Sequence, residues 1–137
     1  MKNALTLAVL VAAFLVACPV RAQVSFGDAS KFNDGWLFRL TDDSTIVNPT
    51  FDDTQWRKLT LPHDWSIEGQ LSPSLASCTG YLPGGIAWYR KHFKITDDAA
   101  RHYIYFEGVY NRSEVYLNGH LLGKRPNGYI SFLYDMT

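Results

Sequence analysis

The chain has 137 residues, 47% of them hydrophobic, 15% aromatic and 19% charged, with 13 basic residues against 13 acidic ones. Charge balance of this kind excludes a nucleic-acid surface, which needs a clustered basic excess, and the apolar and aromatic content describes a globular domain with a substantial core. No glycine-rich phosphate loop and no metal-type spacing of Cys, His or carboxylate residues occurs, so no cofactor and no metal is expected in this segment.

Residues 1–22 read as an export signal. Lys2 supplies the positive start, Ala4 to Ala17 are apolar apart from Thr6, and Val20-Arg21-Ala22 places small residues at the cleavage positions before Gln23. An apolar run this short is a poor membrane span. The product is therefore expected to be exported, to the periplasm or the extracellular space. Leu15-Val16-Ala17-Cys18 also resembles a lipoprotein box, in which Cys18 would become the lipidated first residue and anchor the chain to a membrane. With Cys18 removed or lipidated, Cys78 is the one remaining thiol and no internal disulfide can form. Loss of residues 1–22 removes Lys2 and Arg21 and leaves 115 residues with 11 basic against 13 acidic side chains. One domain, residues 23–137, suits that length.

From residue 36 onward the hydrophobic period is two rather than three and a half. Trp36, Phe38 and Leu40 alternate with Leu37 and Arg39, which predicts a strand. Asp52-Asp53-Thr54-Gln55-Trp56 is the one piece expected to form a helical turn, with an acidic cap ahead of a large apolar residue. A strand is then expected to end at Pro62, opening the polar and aromatic loop His63-Asp64-Trp65-Ser66-Ile67-Glu68-Gly69. Gly84-Gly85 launches a strand expected over Ile86 to Ile95, with Ala87, Tyr89, Phe93 and Ile95 on one face and Trp88, Arg90, His92 and Lys94 on the other. Within it, Arg90-Lys91-His92 reads as alternating solvated and partner-facing side chains rather than an anion site. His102, Ile104 and Phe106 alternate with Arg101, Tyr103, Tyr105 and Glu107. Asn118-Gly119, between Glu114-Val115-Tyr116-Leu117 and His120-Leu121-Leu122-Gly123, has the positive-φ chemistry of a two-residue hairpin turn. Roughly six short strands with almost no helix predict an all-β fold, an antiparallel β-sandwich.

Six stretches in this order carry a resemblance. Phe32 to Phe38, Phe51 to Trp56, Leu61-Pro62-His63-Asp64-Trp65-Ser66-Ile67, Gly84-Gly85-Ile86-Ala87-Trp88-Tyr89-Arg90-Lys91, Val115-Tyr116-Leu117-Asn118-Gly119 and the closing run Arg125 to Thr137 resemble the amino-terminal sugar-binding domain of family 2 glycoside hydrolases, in particular of secreted bacterial β-galactosidases. The resemblance implies a jelly-roll, galactose-binding-like sandwich that packs against an immunoglobulin-like domain and a catalytic (β/α)8 barrel further along a longer chain. In that family two barrel glutamates about 5 to 5.5 Å apart cleave the glycosidic bond with retention. None of the acidic residues here matches those motifs, so no catalytic residue is expected in this segment. A jelly roll has about eight strands. Because Asp135-Met136-Thr137 follows Phe132-Leu133-Tyr134 without a turn, the sandwich is expected to be cut short at its carboxy-terminal end.

Candidate substrate contacts lie in the loops. His63 and Asp64 are neighbours in an extended segment and point to opposite faces, which makes a direct relay between them awkward. Asp64 is expected to accept backbone N–H bonds after Pro62, or to touch sugar at the rim together with His63 and Trp65. Trp65, Tyr81, Trp88 and Tyr129 have the flat apolar faces and polar tips that suit a pyranose, with Trp88, in mid-strand, expected to serve packing. Tyr129 lies in a loop opened by Pro126 and Gly128. The resemblance implies that an amide or acid at Asn127 can reach the substrate; a plain turn residue is the alternative. The expected ligand is a β-linked sugar, in the resembling enzymes a galactoside. Three roles stay open: an accessory domain of a retaining exo-β-glycosidase, a stand-alone carbohydrate-binding module, or a structural interface domain without ligand. Oligomeric state is not readable from these residues.

Overall fold

A computed structural model describes residues 29–97 and 100–137, and Phe32–Thr137 form one compact unit. The expected signal segment 1–22, with Cys18, lies outside the described residues. The unit is an all-β, antiparallel sandwich of seven short strands, and no α-helix occurs among the described residues.

Strand β1 (Trp36–Leu40) is the centre of a three-stranded sheet, between β2 (Arg57–Leu59) and β3 (Ala87–Arg90). Phe38 faces Arg57 across one edge and Tyr89 across the other. β4 (Tyr103–Phe106) pairs with β7 (Phe132–Asp135), and β5 (Ser113–Leu117) with β6 (His120–Arg125). The alternation expected around residue 104 is present: Ile104 and Phe106 are half-buried, whereas Tyr103 and Tyr105 are exposed. The β5–β6 connection is the expected Asn118-Gly119 turn, with φ of 50° and 84° at its two central residues and Leu117 facing His120.

Gly119 has a second reason to lack a side chain. An added Cβ would lie 3.1 Å from Cδ of Pro49. Gly119→Ala combines positive-φ strain with that close approach, so a loss of about 1–2 kcal/mol is expected in urea unfolding at constant m; unchanged stability would show that the turn relaxes freely.

The buried core side chains are Phe38, Ile46, Trp56, Phe132 and Tyr134. Ile46 sits in a 3₁₀ turn, Ser44–Val47, that Asp43 caps by accepting the Thr45 N–H at 2.9 Å. Phe132 and Tyr134 present one face of β7 to β6: a Cβ at Gly123 would meet the Tyr134 ring at 2.6 Å, so glycine is what lets the strands approach. Arg125 lies over both rings, 5.6 Å from each centroid. Trp88 of β3 and Tyr116 of β5 meet ring to ring at 6.0 Å, which makes Trp88 a packing residue rather than a loop aromatic.

Two local expectations differ from the structure. Asp52–Trp56 does form a single turn, with Asp52 accepting the Thr54 N–H at 3.0 Å and Trp56 N–H bonding back to Asp53 O, but it is not the one such piece. Turns of 3₁₀ type also occur at Ser44–Val47, Ser66–Glu68 and Ser77–Thr79. The strand expected over Ile86 to Ile95 closes at Arg90. Beyond it the side chains serve loops: Phe93 packs edge-on against Phe32 at 5.1 Å, the Lys91 ammonium binds Asp34 O and covers Phe32 at 4.2 Å, and His92 Nε2 meets Asp53 Oδ2 at 2.7 Å. Gly35, at φ 71°, bends the chain immediately before β1.

Candidate functional site

The sequence-predicted contacts fall into two groups. His63, Asp64 and Trp65 occupy the loop after β2, and Asn127 and Tyr129 the loop between β6 and β7.

In the first group His63 is turned inward, with only 12% of its side chain exposed. Its ring lies 5.0 Å from that of Phe38, its Nδ1 is 2.8 Å from the Tyr89 hydroxyl, and the Arg57 guanidinium reaches its Nε2 at 2.8 Å. A guanidinium can only donate. The same Nε2 stands 3.2 Å from Glu68 Oε1, so Arg57, Glu68 and Tyr89 converge on one imidazole. Arg57 Nη2 also donates to both Glu68 carboxylate oxygens, at 3.1 and 2.9 Å, and this holds the Glu68 carboxyl below the usual carboxylate range, with His63 contributing. Burial, reinforced by Asp64 and Glu68, pushes the Tyr89 hydroxyl up to about 12.

That shift fixes a pH window. A phenol whose folded pKa exceeds its unfolded value of about 10 contributes stability that is fully present below pH 10 and is lost as pH rises toward 12. Thermal midpoints of the wild type and Tyr89→Phe should therefore converge between pH 10 and about 12, after differing by a constant amount at lower pH. A constant difference through that range would contradict the burial assigned to Tyr89.

Asp64 accepts the Ser66 N–H at 3.0 Å and the Ser66 hydroxyl at 2.6 Å, closing an Asx turn that leads into Ser66–Glu68. Its carboxylate points along its own loop, and no His63–Asp64 relay forms. Trp65 is half-buried, its ring tip 3.7 Å from where a Cβ on Gly85 would stand. Gly85, at φ 154°, carries the chain past this ring into β3.

The second group lines an open depression of about 420 Å³, together with Tyr110, Asn111, Pro126 and Gly128. Asn127 Oδ1 accepts the Tyr129 N–H at 2.8 Å, which presents Tyr129 at 86% exposure. The Tyr110 ring meets Tyr129 at 5.4 Å and 61°, itself 69% exposed. Tyr110 and Asn111 escape a sequence reading because their loop, after β4, is distant in the chain. Arg112, at φ 54°, bonds through its N–H to Pro126 O at 3.3 Å and clips the two loops together. Tyr81, the remaining aromatic candidate, borders a separate hollow with Leu71, Ser72, Pro73 and Gly80. Among the described residues no three His, Cys, Asp or Glu side chains converge as a metal site requires.

The comparisons with known proteins agree with this architecture. The chain is 50% identical over 127 residues to β-galactosidase BoGH2A of Bacteroides ovatus, covering 90% of this chain and 15% of that protein. Among solved structures, a family 2 glycosyl hydrolase from Bacteroides cellulosilyticus superimposes with a TM-score of 0.70 at 32% identity, over 79% of this chain and 15% of that one. The chain belongs to the glycoside hydrolase family 2 proteins, as their amino-terminal β-sandwich domain. The chain is also similar to a β-glycosidase from Bacteroides vulgatus, with a TM-score of 0.75 and 47% identity over 80% of this chain and 15% of that one. A putative β-glucuronidase of Formosa agariphila is 44% identical over 112 residues, 79% of this chain and 11% of that protein. No family profile matches the sequence. The chain spans 15% or less of the length of these relatives.

Proposed function

We propose that this chain is the non-catalytic, sugar-facing accessory domain of an exported retaining exo-β-glycosidase, of β-galactosidase type, whose hydrolysis is performed by a (β/α)8 barrel in a longer protein. The observation that carries this reading is the 50% identity over 127 residues to a β-galactosidase of which the chain covers 15%. Identity at that level across one segment points to the same place in the same kind of enzyme. Export rests on the signal-like residues 1–22, with lipid attachment at Cys18 as the anchored form.

Within the domain the two loop groups divide the work. His63 and Asp64 hold the loop after β2 rigid, through Arg57, Tyr89 and Ser66, and set Trp65 against Gly85. Asn127 and Tyr129 are the contacts offered outward. A pair of catalytic carboxyl groups about 5 to 5.5 Å apart is what retention demands, and in this reading the barrel supplies it.

The test compares the 137-residue chain with the longer protein on p-nitrophenyl β-D-galactopyranoside and the corresponding β-glucuronide. The longer protein should release p-nitrophenol from the galactoside and the chain alone should not. Hydrolysis by the isolated chain, or a longer protein inert on both substrates, would overturn the reading.

A further inference from the structure

We propose that Asn127 is a site of spontaneous covalent modification: in the folded chain the Gly128 nitrogen closes on the Asn127 side chain, ammonia leaves, and water opens the resulting cyclic imide to aspartate or isoaspartate. The inference rests on the local geometry of the loop between β6 and β7 and is independent of the accessory-domain reading.

Two conditions must coincide for this reaction. The nitrogen after the asparagine must carry a proton it can lose and must be free to approach the side-chain carbonyl carbon. That carbonyl must also be held facing the nitrogen and polarised. Three asparagines of this chain separate the two conditions. Asn48 Oδ1 accepts the Thr50 N–H at 2.9 Å, which folds its amide forward, but the next residue is Pro49, whose nitrogen has no proton to lose. Asn118 precedes Gly119, yet it is fixed at φ 50° in the hairpin turn and its side chain has no hydrogen-bond partner among the described residues.

Asn127 meets both conditions. Its Oδ1 accepts the Tyr129 N–H at 2.8 Å, an Asx closure that brings Cγ over the Gly128 peptide nitrogen lying between them. The same N–H acts as an oxyanion donor does, stabilising the charge that develops on Oδ1 as the carbon becomes tetrahedral. The Gly128 N–H has no acceptor among the described residues, and glycine has no Cβ to obstruct the closing ring. Asn127 is exposed, so hydroxide and water reach it.

Water is the one co-reactant. Hydroxide removes the Gly128 amide proton, the nitrogen bonds to Asn127 Cγ, and the Cγ–Nδ2 bond breaks as ammonia departs with a proton returned from water. Hydrolysis of the imide at Cγ leaves aspartate on an unchanged main chain. Hydrolysis at the main-chain carbonyl leaves isoaspartate, with the chain rerouted through the side chain and longer by a methylene. Either product puts a negative charge beside Tyr129, and the second also shifts the main chain that presents it.

The experiment incubates the 137-residue chain in mildly alkaline buffer, folded and in concentrated guanidinium chloride. Both Asn-Gly pairs are followed by peptide mass spectrometry with fragmentation that separates aspartate from isoaspartate. In the folded chain, conversion at Asn127 is expected to run about tenfold faster than at Asn118, the factor that one hydrogen bond to the developing charge supplies, with no conversion at Asn48. In denaturant the two Asn-Gly rates should become equal, because the closure at Tyr129 is lost. Tyr129→Pro, which deletes the N–H, should bring Asn127 down to the Asn118 rate, whereas Tyr129→Ala, which keeps it, should not. An Asn118 rate equal to or above that of Asn127 in the folded chain, a rate ratio unchanged by denaturant, or the fast rate retained in Tyr129→Pro would overturn the assignment.

Discussion

Arg90→Ala is expected to lower the unfolding free energy by about 3 kcal/mol, measured by urea denaturation. Arg90 leaves β3 toward the interior with 15% of its side chain exposed, and its guanidinium donates to Ile46 O, to Asn48 O at 3.2 Å and to Phe51 O at 3.3 Å, and pairs with Asp53 at 3.4 Å. Truncation leaves those carbonyls in a poorly solvated place with no donor, and an unsatisfied buried acceptor costs about 1–3 kcal/mol. Asp53 keeps His92 at 2.7 Å, which holds the total toward the low end of a broken buried pair. Arg90→Lys should recover little, because a point charge cannot reproduce a planar fork aimed at several oxygens. A loss below about 1 kcal/mol in Arg90→Ala would mean that water replaces the guanidinium.

Trp56→Ala should cost about 3–5 kcal/mol. The ring is buried at 6% exposure, packs on Phe51 at 6.1 Å and lies under the Arg90 guanidinium at 5.5 Å. Trp56→Phe separates packing from polarity. The indole N–H is buried without a hydrogen-bond partner among the described residues, so phenylalanine loses volume but also removes an uncompensated donor, and its expected cost is below about 1.5 kcal/mol. Arg90 and Trp56 touch, so the double alanine variant should lose less than the two single losses combined. Thermal or urea unfolding of the four variants checks both statements; equal losses in Trp56→Phe and Trp56→Ala would contradict the orphan N–H.

Features with local causes were legible in the sequence. The Asn118-Gly119 hairpin is readable because its two positive φ angles are a property of those residues themselves, and the Asp64 turn because an aspartate two residues before a serine closes its own Asx turn. Alternation identified β1, β4 and the start of β3. What periodicity could not show is where a strand stops when distant loops claim its side chains, as Asp53 and the Phe32–Asp34 turn do with His92, Phe93 and Lys91. His63 is the same case at the site. Its inward turn depends on Tyr89, brought beside it by the pairing of β1 with β3, as well as on the local Arg57 and Glu68, whereas its immediate neighbours in the chain suggest a rim residue. Tyr110 joins Tyr129 only because β4 and β7 pair, bringing the loops beyond them together.

The division between a scaffold loop and an outward loop gives the domain a physical task. Charge pairs, buried aromatics, the caps at Asp43 and Asp52 and the Asp64 turn steady the sheets and their loops, while exposed aromatic and amide groups gather in the depression between the loop after β4 and the loop between β6 and β7. In the proposed role this sandwich serves a glycosidase without performing the hydrolysis. The most direct measurement is kcat/KM on p-nitrophenyl β-D-galactopyranoside for the longer protein, for the same protein lacking residues 23–137, and for the deleted protein supplemented with this chain. Activity is expected in the first, a loss of at least about a hundredfold in the second, and partial recovery in the third; full activity after deletion, or activity in the chain alone, would contradict that role.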